Sequence, residues 1–81
     1  MIDIEAFKKD FKTEVQKLPK DLVKILKDLS EKFGPTLDKL VPQMLQNLGR
    51  HVQAIMMASA MNQLDKDELN ATITEVLRES L

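Results

Sequence analysis

Apolar residues recur along this chain at steps of three and four, and no stretch sustains the alternation of a half-buried strand. No Asn-Gly or Asp-Gly hairpin turn is present either, so helix is the expected element throughout. In the first segment Ile4, Phe7, Phe11, Val15 and Leu18 form a narrow stripe, with Asp3 placed to cap its start. Pro19 ends that helix near Lys17, because the residue before a proline is pushed out of the helical region, and it also fits the opening turn of a second helix. The second stripe is Leu22, Ile25, Leu26, Leu29 and Phe33, closed by Gly34-Pro35. Thr36 reads as the cap of a short turn holding Leu37 and Leu40, and Pro42 breaks the chain near Leu40-Val41.

From Pro42 to Leu64 the spacing predicts one long helix of about 34 Å. Val41, Met44, Leu45, Leu48, Val52, Ile55 and Met56 lie on one face. Gly49 inside it costs roughly 1 kcal/mol against alanine, and a close helix crossing would account for its presence. Asp65 then caps the last helix, with Glu68 completing a capping-box-like pair, and Leu69, Ile73, Val76, Leu77 and Leu81 make its single stripe. The expected fold is all-α: one domain over 1–81, bundle-like, with four helices at 3–17, 19–33, 42–64 and 66–80 and a turn near 36–40.

The third helix changes character along its length. Opposite its main stripe the first half shows Gln43, Gln46, Asn47 and Arg50, an ordinary wet face. Beyond Arg50 the same side shows Ala54, Met57, Ala58, Met61 and Leu64, and no charge occurs over 52–64. A helix apolar nearly all round is buried on both sides. It is too short to cross a bilayer, at about 20 Å against roughly 30 Å of hydrocarbon. The expectation is therefore a central third helix with the others around it. If the chain covers only one flank, Ala54, Met57, Ala58, Met61 and Leu64 become the seam of a homodimer, the route by which small cores are often completed.

Composition sharpens this picture mainly by exclusion. At 81 residues the core is near the lower limit of self-sufficiency, and without cysteine neither a disulfide framework nor a thiolate metal site is possible. The formal net charge of −1 gives no general attraction to nucleic acid. Lys20, Lys24 and Lys27 form a basic flank on the second helix, but the eight lysines in residues 1–33 are interleaved with seven acids. Nucleic acid is therefore not an expected partner. His51 is the one histidine and has no carboxylate at a ligand spacing on its own helix, so it reads as a boundary residue. Asp65, Asp67 and Glu68 suit the positive end of a helix. No phosphate loop, nucleophile motif, cofactor site or metal site is expected.

The acidic N-terminus lacks the pattern of a signal peptide, which makes the cytoplasm the default location. The internal Lys66-Asp67-Glu68-Leu69 and Asn70-Ala71-Thr72 matches to sorting and glycosylation signals carry no weight there. What remains is a non-enzymatic interaction module of adaptor or inhibitor type, self-associating or binding a partner protein through apolar helix surface or the lysine flank. Its competitor is a membrane-surface protein using the first two helices, with Phe7, Phe11 and Phe33 as the lipid-facing residues.

Overall fold

The computed structural model describes residues 2–34 and 42–81. The turn expected near 36–40 and the break near Leu40-Val41 lie outside the described residues. Five helices are present among the described residues: α1 (Ile4–Val15), α2 (Lys20–Phe33), α3 (Pro42–Asn47), α4 (Gly49–Ala60) and α5 (Lys66–Glu79). No strand occurs among them.

The caps explain most boundaries. Asp3 accepts a hydrogen bond from the Ala6 amide at 3.1 Å, and Asp65 accepts one from the Glu68 amide at 3.0 Å. Each carboxylate satisfies a first-turn N–H that has no partner within its helix. α1 stops at Val15, two residues earlier than expected, because Lys17 and Leu18 turn back to the carbonyls of Glu14 and Val15 in a tighter i+3 pattern ahead of Pro19. Gly34 closes α2 with a φ of 80°, a left-handed value that glycine adopts without steric penalty.

The long helix expected over 42–64 is two shorter ones. At Leu48 the backbone opens to φ −101°, ψ 12°, although the Leu48 amide still reaches the Met44 carbonyl (2.8 Å) and Val52 still reaches Leu48 (2.9 Å). The hydrogen-bonded run continues through a bend, which leaves the apolar periodicity intact. α4 then ends at Ala60 and not at Leu64. Asn62 sits in the left-handed region at φ 58°, its amide bonding the Ser59 carbonyl, while the Gln63 amide reaches back to Ala58 at 2.8 Å. That pair of bonds is a Schellman closure, with asparagine in the position usually held by glycine.

The central helix is the last one, not the third. α5 is the element against which both α1 and α2 pack closely. Lys8 pairs with Glu75 at 3.5 Å, and Lys12 and Val15 share a groove with Glu79 and Ser80, so α1 and α5 run in the same direction. Lys20 donates to the Ser80 carbonyl and Ser30 meets Thr74, so α2 runs the opposite way. The core gathers Phe7, Phe11 and Val15 from α1, Val23 and Leu26 from α2, and Leu69, Ile73, Val76 and Leu77 from α5. Met44, Leu48 and Ile55 close it from the α3–α4 side. α5 serves two neighbours because Thr72 and Thr74 are also buried, widening what looks in sequence like a single stripe.

α2 is rotated relative to its apolar stripe. Val23, Leu26 and Ser30 are inside, whereas Ile25 is 55% exposed and Phe33 is also largely at the surface. The turn toward Ser30 follows from its partners. Its hydroxyl hydrogen-bonds the Asn70 side-chain oxygen at 3.1 Å and the Thr74 hydroxyl at 2.7 Å. A serine hydroxyl has one proton, so donating it to Asn70 makes Thr74 the donor to Ser30. The chain of bonds from Thr74 through Ser30 to Asn70 satisfies the hydroxyls at the α2–α5 seam, and among the described residues no buried side-chain polar atom lacks a partner.

Candidate interaction surface

α4 has two faces of different fate. Its inner face carries His51, Ile55 and Ala58, all buried, with Val52 and Ala54 partly so. Its outer face carries Gly49, Gln53, Met56, Met57 and Ala60, with Met61 just beyond the helix end, all exposed. Met56, Met57 and Met61 are 66%, 58% and 61% exposed, three large apolar side chains within six residues. Single exposed apolar residues are ordinary, but a contiguous group is a candidate contact surface.

The residues anticipated for this seam divide. Met57 and Met61 stand together on the outer face; Ala58 points inward, Ala54 is at the boundary, and Leu64 packs against the core. Met56, placed by periodicity on the inner stripe, joins the outer group instead. Among the described residues, the chain's own helices thus cover one flank of α4 and leave the other open.

Gly49 belongs to this outer face as well. A Cβ built at Gly49 meets no atom within 4 Å, so no described helix of the chain crosses closely there. Within a single chain, among the described residues, the glycine brings an entropic penalty and no close packing. Gly49→Ala is therefore expected to raise the stability of the isolated chain by about 0.5–1 kcal/mol, a few degrees in thermal midpoint by circular dichroism. A lowered midpoint would show that the bend at Leu48 depends on glycine.

The inner face is joined to α1 by side chains the sequence does not connect. His51 Nε2 lies 2.7 Å from Asp10 Oδ2, and the Arg50 guanidinium lies 3.8 Å from the same oxygen. One turn along, Asn47 donates to Glu14 Oε1 at 2.8 Å, while Lys17 donates to Glu14 Oε2 at 2.9 Å. Asp10 and Glu14 are four residues apart, as are Asn47 and His51, and they pair in antiparallel register. The His51 ring also stands edge-on to Phe7, with centroids 5.8 Å apart, and Phe7 stacks on Phe11 at 5.5 Å.

The hydrogen bond from His51 holds the Asp10 carboxyl below its ordinary range, against an opposing effect of burial, with Arg50 and Lys9 adding to the lowering. Hydrogen bonds from Asn47 and then Lys17 do the same for Glu14. His51 is thus tied to a carboxylate after all, supplied by another helix. A histidine and one carboxylate make neither a metal site nor a nucleophile relay, and no cluster of three or more potential ligands occurs among the described residues.

The chain matches no protein-family model, no curated protein and no solved structure.

The other anticipated surfaces come out differently. Of the lysine flank, Lys20 donates to the Ser80 carbonyl at the end of α5, Lys27 lies 3.7 Å from Asp28, and Lys24 is exposed. Phe7 and Phe11, two of the three residues expected to face lipid, are fully buried. No helix among the described residues is long and apolar enough to cross a membrane. An open groove between α2 and α5 is lined by Glu31, Asn70, Thr74, Glu75 and Arg78. Arg78 and Glu31 pair with each other there, Thr74 and Asn70 are linked through Ser30, and Glu75 pairs with Lys8 of α1.

Proposed function

We propose that this chain is a non-enzymatic protein-interaction module of adaptor or inhibitor type, working through the outer face of α4 and self-associating there. The observation that carries the reading is the joint exposure of Met56, Met57 and Met61 along a helix whose opposite face is buried. Methionine is flexible and polarisable, and it recurs on surfaces that adapt to apolar partners. No charge lies between His51 and Asp65, so two copies can appose this stretch without like-charge repulsion.

Taken as one bent rod, α3–α4 is the fourth member of a bundle-like layout, and pairing α4 with α4 of a second copy would shield the flank its own described helices leave open. Gly49 and Ala60 on the same face would let the two backbones approach closely. Stable interfaces bury roughly 800 Å² per partner. Three methionines with small neighbours fall short of that area, so the self-association is weak, with a dissociation constant of micromolar order or above.

Light scattering on a dilution series tests this. Mass should fall toward the 9.3 kDa of a single chain as concentration drops through the micromolar range. A single-chain mass at the highest soluble concentration would defeat the self-association.

A further inference from the structure

The α3–α4 arm is attached to the fold differently from the other helices. Among the described helices, α1 and α2 each pack closely on α5, whereas α3 and α4 approach that trio less closely. The arm reaches the core by long side chains, Met44, Leu48 and Ile55, which join the cluster that holds the paired rings of Phe7 and Phe11. Beyond these apolar contacts, its polar links to the trio among the described residues run from His51 and Arg50 to Asp10 and from Asn47 to Glu14, all ending on carboxylates of α1. The α2–α5 seam is built otherwise. Its buried polar link is the Ser30–Thr74–Asn70 chain, which does not titrate, and its Arg78–Glu31 ion pair is largely exposed and weak.

We propose that the arm is an acid-released element: protonation of Asp10 and Glu14 frees α3–α4 from α1 while the α1–α2–α5 trio remains folded. The groups that face Asp10 are Arg50 and His51 from α4, with Lys9 and Glu14 on its own helix. Those that face Glu14 are Asn47 from α3, with Asp10 on α1 and Lys17 just beyond its end. Neutralising Asp10 leaves the Arg50 guanidinium without its counter-charge and weakens the bond between Asp10 and the His51 ring. Neutralising Glu14 weakens the bonds it accepts from Asn47 and Lys17, since a carboxylate accepts more strongly than a neutral acid.

The direction of the pH effect follows from the two lowered carboxyls. Their contribution is fully present above the ordinary values of 3.8 for Asp and 4.5 for Glu, and is lost as pH falls through the lower native values. Local opening of a weakly attached unit ahead of the rest is the expected form of the transition. The inference stands whether or not the outer face of α4 binds anything.

The test is a pH titration of the full chain, labelled at methionine and isoleucine methyls and followed by nuclear magnetic resonance. Met44 and Ile55 report the arm, and Ile73 reports the trio. Acidification from neutral pH should move Met44 and Ile55 to unfolded positions at a higher pH than Ile73. In Asp10→Asn combined with Glu14→Gln, that separate arm transition should vanish. A single coincident transition of all three methyls in the unmodified chain overturns the proposal, and so does an arm transition that survives unchanged in the double variant. If the double variant does not fold, the order of the unmodified chain's transitions still decides.

Discussion

Phe11→Ala should lower the unfolding free energy by about 3–5 kcal/mol, the range for deleting a buried aromatic ring. Phe11 has no solvent exposure and stacks on Phe7, which itself meets the His51 ring, so its removal opens a void where α1, α5 and the arm converge. A domain of this size holds on the order of 4–12 kcal/mol in total, at roughly 0.05–0.15 per residue, so the substitution consumes a large share of it. Urea denaturation followed by circular dichroism gives the measurement. A midpoint close to that of the unmodified chain would mean that the aromatic pair is not the keystone of the core. Ile25→Ala is the appropriate contrast, because its side chain is more than half in water and should cost well under about 1 kcal/mol.

The second large effect concerns association. Met57→Lys and Met61→Glu each put a charge in the middle of the outer apolar group, where a second copy would have to desolvate it. Either change should weaken self-association by about a hundredfold or more, equivalent to roughly 2.8 kcal/mol at about 1.4 kcal/mol per tenfold. The fold should survive, since both side chains already reach solvent, and an unchanged helical spectrum checks that. A light-scattering mass that does not respond to either substitution would exclude this face as the contact. The opposite charges of the two variants offer a further check. Mixing the Met57→Lys chain with the Met61→Glu chain should partly restore the dimer mass if the two positions face each other across the seam.

Elements bounded by local chemistry are legible from the residues alone. The helix expected at 19–33 lies at 20–33, and the one expected at 66–80 lies at 66–79, because Pro19, Gly34 and Asp65 punctuate the chain by their own backbone and side-chain preferences. The division of the third helix is not legible. The bend at Leu48 keeps its hydrogen bonds, so the three-and-four spacing runs through it unmarked, and the closure at Asn62 relies on asparagine in a conformation for which glycine is the usual signal.

The central position of α5 is hidden by its threonines. Thr72 donates to the Glu68 carbonyl at 2.9 Å and Thr74 donates to Ser30, so both are buried with their hydroxyls satisfied, on flanks that look polar in sequence. The rotation of α2 has the same origin, since burial of Ser30 depends on partners forty or more positions away. For the candidate surface, the charge-free stretch marks the right helix, but which of its methionines face outward depends on the bend and on where α1 lies. The His51–Asp10 contact links helices far apart in sequence. Only the matching four-residue spacings, Asp10 with Glu14 and Asn47 with His51, hint at it.

Those matching spacings also govern how the rod can sit on its support. A slip of one helical turn in one direction would bring His51 to Glu14 but set the Asp10 carboxylate against Ile55. A slip in the other would leave the His51 ring over Ala6 with no acceptor. The two polar pairs therefore act as detents in a ratchet, admitting a single notch along a seam whose greasy contacts alone would tolerate sliding.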